Sequence, residues 1–488
     1  MGKTNQITGI ILMFLVFLSY AILLSHPINL VTADLGRHIK NGGEILSGNF
    51  GVLKTNFYSY TFPGYPVLNH HWLGGIIFFL VWKAFGFLGV HLFFILISLA
   101  TLFIFFKLSS EKSGPAIASL ITLLIIPLML ERDEIRPEIF SNLLAGIFLL
   151  ILTKYKEGKI SPRFLLILPV IELLWINTHI YFFLGFVIAG AFLFEAVIEK
   201  SKPVIKTLAS TIGLMFVAIF INPAGLRGVL APFDIFKNYG YTIVENKSIF
   251  FLENLIKNPN FLILKIMFLA FLLLIVFRLI QNKRGIPIRD LIFAAGFSFA
   301  AFLALRNMAL FAFFALPISS ACIAGLLGKK IENVKINLFA IVIFAFFILS
   351  IFSGEYKSIA PYEKLGFGLL NGNNATAEFV KNKNLEGPIF NNYDIGGYLI
   401  FNLWPERKTF VDNRPEAYPN DFFQKVYMPM QEDKKIWDEQ LKIYGFKSII
   451  FSTADFTPWG QNFLKNITTD PDWSTVFKDG RVIVLVKN

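Results

Sequence analysis

Thr32-Ala33-Asp34-Leu35-Gly36-Arg37-His38-Ile39-Lys40 follows directly on the apolar run Ile7 to Leu24, which is long and uncharged enough to cross a bilayer. The chain therefore leaves the membrane and at once presents a carboxylate, a guanidinium and an imidazole. Asp34, Arg37 and His38 are spaced i, i+3 and i+4, so a helical segment puts them on one face. A carboxylate beside two cations at a membrane surface suits chemistry on an anionic, lipid-linked substrate. A solvated juxtamembrane helix with a local ion pair would have the same spacing.

Composition extends the membrane assignment to most of the chain. Of 488 residues 55% are hydrophobic and 56 are Phe, which is too apolar for a soluble globular protein. The one cysteine, Cys322, allows no internal disulfide and no cysteine metal cluster. No small-residue cleavage site follows the first run, so it is expected to remain as a span. The net charge of +12 is uneven: residues from 355 onward carry 16 Lys and Arg against 17 Asp and Glu, leaving 29 against 16 before them. A basic excess in membrane loops is a topology signal and gives no reason to expect nucleic acid.

Candidate spans are 7–25, 88–106, 115–130, 137–153, 163–176, 179–198, 204–222, 260–280, 289–304, 307–327 and 335–353. Segment 73–85 is apolar but short, and Gly86 ends it, as in an interfacial or re-entrant helix. If it does not cross, the N-terminus and the loops near 107–114, 154–163, 199–206, 278–289 and 329–335 share one side with 17 Lys and Arg, against 11 on the other. The positive-inside rule then makes the N-terminus cytoplasmic, with about 11 spans in a cell membrane. The outer side receives loops 26–87, 131–136 and 223–258, Arg306, and everything after residue 354.

The expected fold is thus a polytopic α-helical membrane domain, 1–354, and a small extracytoplasmic α/β domain, 355–488. In the latter, helices are predicted at 374–383, 422–430 and 434–444. Strands are predicted at 388–390, 408–411, 448–451 and 482–486, with an apolar segment at 395–401.

Unusual polar residues collect on the outer side. Loop 131–136, Glu-Arg-Asp-Glu-Ile-Arg, precedes Pro137-Glu138 and faces either water or a ligand; a self-paired turn is the alternative. Glu172 lies in an apolar span, Asn177-Thr178-His179 caps that span, and Arg306 tops a tight helix pair, suited to a phosphate. No His-x-x-x-His or Glu-x-x-His spacing marks a metal site, although loop carboxylates together with a substrate phosphate can hold a divalent cation. The absence of Gly-x-x-x-x-Gly-Lys and Gly-x-Ser-x-Gly excludes common nucleotide hydrolase and serine hydrolase patterns.

This arrangement resembles the polytopic glycosyltransferases of the GT-C fold, which include protein mannosyltransferases, aminoarabinose transferases and rhizobial galacturonosyltransferases. The resemblance rests on a first span, an outer loop opening with Asp34, a short interfacial helix, a basic inner turn and the charged outer turn Arg136-Pro137-Glu138. Asp34-x3-His38-Ile39-x2-Gly42, Trp175-x-Asn177-x-His179 and Asn222-Pro223-x-Gly225 are similar to a bacterial branch of that group, as are Asn392-Tyr-Asp-Ile-Gly-Gly-Tyr and Phe410-Val-Asp412-Asn-Arg414. The tail motif more distantly resembles the Trp-Trp-Asp-Tyr-Gly acceptor motif of oligosaccharyltransferases, without its tryptophans.

The resemblance implies a polyprenyl-phosphate sugar donor, an inverting transfer to a glycan, lipid or protein acceptor, and Asp34 as catalytic base. Donor-side candidates are Arg37, Arg136 and Arg306 as phosphate cations, His38 and His179 as secondary cations, and Asp133, Glu134 and Glu138. Tyr393, Asp394, Asp412 and Arg414 are the acceptor-side candidates. The prenyl chain is expected in a groove lined by helix 73–85. A transporter or flippase would show paired inverted halves and midplane charges, which are not found; a non-catalytic surface-assembly protein would keep the same fold.

Overall fold

The computed structural model describes residues 3–234, 237–282, 285–328, 334–358 and 364–488. Lys283, Arg284, Lys329 and Lys330 of the expected basic loops lie outside the described residues. The first half of the chain forms α1 (Lys3–Leu24), α2 (Leu35–Leu46), α3 (Trp72–Ser113), α4 (Pro115–Leu130), α5 (Glu138–Lys156), α6 (Ile167–Thr178), α7 (Phe183–Ile198) and α8 (Lys202–Ala218). Two short helices, α9 (Leu226–Leu230) and α10 (Ile249–Leu252), interrupt the next loop. α11 (Pro259–Gln281), α12 (Ile288–Leu303), α13 (Met308–Leu327) and α14 (Val334–Phe352) complete the bundle.

Among the described residues seven helical segments are long and apolar enough to cross a membrane: α1, α3, α5, α7, α11, α13 and α14, with α7 and α13 counted from their preceding turns. The helices α4, α6, α8 and α12, of 12 to 17 residues, account for the other expected spans. The protein is a multi-pass membrane protein. Segment 73–85 is continuous with the next span in α3, broken only at Gly86, whose φ of 63° and ψ of −162° lie outside the helical region. A residue with a side chain resists that conformation, so the backbone turns there without leaving the helix pair.

The helices alternate in direction. At one end the basic connections pair with acids of other helices, Lys154 with Glu111 at 2.6 Å and Arg289 with Glu195 at 2.6 Å. At the other end loops far apart in sequence meet: His26 lies 3.6 Å from Asp133 and Arg132 2.8 Å from Glu245. Loops 26–71, 131–137, 219–258 and 304–307 therefore share one end, as expected if 73–85 adds no crossing of its own.

The remainder forms α15 (Ala375–Asn382), β1 (Ile389–Asn391), α16 (Gly396–Leu403), α17 (Asn420–Phe422), α18 (Pro429–Glu432), α19 (Lys434–Tyr444), β2 (Ser448–Ser452), α20 (Pro458–Ile467), β3 (Trp473–Lys478) and β4 (Val482–Lys487). The sheet order is β1-β2-β4-β3, with β1 and β2 parallel and the other pairs antiparallel. One expectation changes here. The predicted strand 408–411 joins no sheet: Phe410 donates its N–H to Asn391 Oδ1, and its carbonyl accepts from Ser59 and Thr61 of the first loop. The apolar segment 395–401 is helical, and it carries the domain's contact with the bundle. β3 and α20 were not anticipated.

One apolar core runs from the bundle through α2 into α15, α16 and β2, joining Leu35 and Ile39 to Ile395 and Leu399. Burial of this kind is the dominant favourable term in such an interface, and it fixes the domain over the mouth of the bundle.

Candidate functional site

The site assembles where the N-termini of α2 and α16 cross. Gly36 permits the crossing, since a Cβ there would stand 2.9 Å from Phe401 Cβ and 3.1 Å from the Gly397 carbonyl. Asp34 precedes α2, with its side chain 18% exposed. Its Oδ1 lies 3.5 Å from Arg37 Nη2 and its Oδ2 3.4 Å from Arg136 Nη1. Asn413 closes the third side: its side-chain amide donates to Asp34 Oδ1 while its carbonyl oxygen accepts from Arg37 Nε at 3.0 Å.

Arg136 also joins a larger cluster. Its Nη1 reaches Glu245 at 2.7 Å and its Nη2 reaches the half-exposed Glu134 at 2.6 Å. Arg132 binds both Glu245 and Glu138 at 2.8 Å. Arg306 stands 3.8 Å from each of those acids, donates to Asn246 at 2.9 Å and lies over the Tyr181 ring. Burial pushes Glu245 upward, but Arg132, Arg136 and Arg306 outweigh it and hold its carboxyl well below the usual range. Asp133 turns away toward His26; burial, with Glu134 and Glu131, raises it well above the usual range.

The two histidines expected as cations are not cations. His38 is buried; burial first, then Arg37 and Arg136, holds its imidazole well below its ordinary value and therefore neutral. His179 Nδ1 accepts from the Tyr181 N–H and lies 2.7 Å from the Ser141 hydroxyl, which itself accepts from Trp175 Nε1 at 2.7 Å. An accepting Nδ1 makes that ring neutral too, with Nε2 as the donor. The rings of His38, His70 and His179 each pack against His71, with centroids 5.4, 4.0 and 5.1 Å from it.

On the domain side Tyr393 stacks on Tyr241 at 4.1 Å, with Trp459 6.2 Å beyond. Asp394 makes no hydrogen bond or ion pair among the described residues; burial, then Asp455 and Asp34, push its carboxyl up to about 7. Asp412 and Arg414 instead pair with each other at 2.6 Å, both buried, and Arg414 donates to Asn56 at 3.1 Å. They brace the first loop against the domain.

Glu245, Arg132 and Asn413 were not among the expected site residues. Arg132 was signalled by its loop, whereas Glu245 and Asn413 carry no local pattern. An apolar cavity of about 620 Å³ opens between α11 and α12, lined by Phe250, Phe268, Phe271, Ile275, Phe299 and Phe302.

Among the described residues no group of three or more His, Cys, Asp and Glu side chains is placed to hold a metal ion. Both oxygens of Asp34 face positive or hydrogen-donating groups. That donor set does not fit a divalent cation, which requires several oxygen ligands.

No family model and no curated protein sequence matches the chain. Solved structures do. The oligosaccharyltransferase AglB from Archaeoglobus fulgidus, in complex with an inhibitory peptide and a dolichol-phosphate, matches with a TM-score of 0.62 at 12% identity, over 91% of this chain and 69% of that one. An Archaeoglobus fulgidus oligosaccharyltransferase in complex with zinc and sulfate gives 0.56 at 13% over 92% and 68%. ArnT from Cupriavidus metallidurans gives 0.54 at 12% in the apo state and 0.50 at 14% bound to undecaprenyl phosphate, each over 98% of this chain and 97% of that one. Both are glycosyltransferases of the GT-C fold, and the chain described here has that fold.

Proposed function

We propose that this GT-C fold membrane protein transfers a sugar from a polyprenyl-phosphate donor to a hydroxyl or amine of a glycan, lipid or protein acceptor, on the extracytoplasmic face. The observation that carries the proposal is Asp34 itself. It is a partly open carboxylate at the edge of a guanidinium cluster, at the end of the bundle where the domain covers it.

The chemistry follows from that geometry. The acceptor oxygen or nitrogen attacks the anomeric carbon and loses its proton to Asp34, as general-base catalysis requires. The bond between the anomeric carbon and the phosphate oxygen breaks, its electron pair stays on the phosphate, and the sugar inverts. Charge grows on the leaving phosphate, where preorganised cations are worth most; Arg37, Arg136 and Arg306 are the cations at hand, with Arg132 beside them. The neutral His179 offers its Nε2–H as a donor.

The ligands of the fold's neighbours, dolichol-phosphate and undecaprenyl phosphate, support a prenyl-phosphate donor. The apolar cavity between α11 and α12 suits the prenyl chain. Tyr393 and the unpaired Asp394 face the acceptor.

Purified protein incubated with radiolabelled polyprenyl-phosphate sugars and a membrane extract should transfer label to a single class of acceptor. Asp34→Asn should lower the rate by roughly 10²- to 10⁴-fold with little change in thermal stability. Retained transfer would remove Asp34 as the base.

A further inference from the structure

Three guanidinium groups converge on one carboxylate. Glu245 Oε2 lies 2.8 Å from Arg132 Nη1 and 2.7 Å from Arg136 Nη1, and Oε1 lies 3.8 Å from Arg306 Nη1. The carboxylate comes from the single turn Val244–Asn246, which contributes no buried residue of its own. That turn is held before it by Tyr241 stacked on Tyr393, within it by Asn246, whose Oδ1 accepts from Arg306 at 2.9 Å, and after it by the Lys247 carbonyl, which accepts from the Leu305 N–H at 3.1 Å. Glu245 is thus carried between bundle and domain on a one-turn bridge that buries none of its own residues.

Each arginine has another acid. Arg132 keeps Glu138, Arg306 keeps the same Glu138 at 3.8 Å, and Arg136 keeps Glu134 and Asp34. Glu245 is the acid that touches all three, and its departure leaves none of them alone. An acid serving only to neutralise a buried cation cannot leave so freely, because breaking a buried pair strands a charge.

We propose that Glu245 is an internal stand-in for the donor phosphate, occupying the arginine cage in the empty protein and yielding it as the donor enters. This rests on the proposed donor class. A prenyl-phosphoryl sugar is a diester with one ionised oxygen, so it replaces Glu245 charge for charge, and the cage is neutralised to the same extent before and after. The product is a monoester carrying about −1.5 to −2 charges at neutral pH. The returning carboxylate then repels it, so Glu245 also hastens product release. Arg136 links the two events, since the Nη1 that releases Glu245 also faces Asp34.

The test is binding of tritiated undecaprenyl phosphate to the purified full-length protein in detergent, with inorganic phosphate as competitor. Glu245→Gln keeps the shape and removes the charge, and should bind the lipid at least tenfold more tightly than the natural protein. Tyr241→Ala, which frees the bridge without touching the cage, should also tighten binding. Inorganic phosphate should compete at lower concentration in Glu245→Gln than in the natural protein. Equal or weaker binding by Glu245→Gln, in a variant whose melting temperature is preserved, overturns the stand-in role and leaves the proposed function intact. Failure of the natural protein and both variants to bind any of the lipid overturns both.

Discussion

Asn413, in the domain that follows the last membrane helix, donates its side-chain amide to the carboxylate of Asp34, on the loop that follows the first. Its oxygen simultaneously accepts from Arg37. One neutral amide therefore aims the acid and holds the cation beside it, across 379 positions of sequence. Asn413→Ala should lower transfer by roughly 10- to 100-fold through misplacement of Asp34, at a stability cost of about 1–2 kcal/mol for the lost hydrogen bonds. Asn413→Asp should be worse, because it sets a second carboxylate against the first. Steady-state rates and thermal melts of the two variants check this; equal activity in both would mean that Asp34 is positioned by other contacts.

Asp394 makes the protein's stability depend on pH in a defined direction. Its folded pKa is raised to about 7 by burial, Asp455 and Asp34, against an ordinary value near 3.9. Between those two values the folded state holds a proton that the unfolded state has lost, so stability falls as pH rises through that window and levels off above it. The melting temperature should drop by several degrees between pH 5 and pH 8. Asp394→Asn, which cannot ionise, should flatten that slope. A slope unchanged in the variant would assign the effect to another group.

Much of the architecture could be read in advance because hydropathy and loop charge act locally. The spans, the odd status of segment 73–85 and the gathering of Asp34, Arg136 and Arg306 at one end all followed from run length and basic-loop parity. The partners of those residues did not. Glu245 and Asn413 meet the site only through long-range packing, and nothing beside them in sequence marks them. The neutrality of His38 and His179 depends on burial and on which groups donate to them, which spacing does not encode. Part of the quoted motifs proves to be backbone architecture: Asn222 accepts from the Ala224 N–H at 2.9 Å and donates to the Ile219 and Gly225 carbonyls. Gly42 likewise exists for close approach, since a Cβ there would stand 2.2 Å from the Gly75 carbonyl.

Glu172 is the polar residue that the sequence marked most plainly and that the site does not use. It lies on α6 with no exposure, and both carboxyl oxygens lack a hydrogen-bond partner among the described residues. It is packed against α7 so closely that a Cβ on Gly185 would overlap its Oε2. A buried polar group without a partner costs about 1–3 kcal/mol by mutational measures, and here no pair is broken by removing it. Glu172→Met should therefore raise the melting temperature, with transfer activity kept within a few-fold. Gly185→Ala should destabilise by about 1–3 kcal/mol through overpacking. The same change should be tolerated in a Glu172→Ala background, where the carboxyl no longer occupies the space. The double-mutant cycle then yields a coupling of the size expected for residues in contact. If Glu172→Met folds stably and transfers no sugar, Glu172 takes part in the reaction and the space-filling account is wrong.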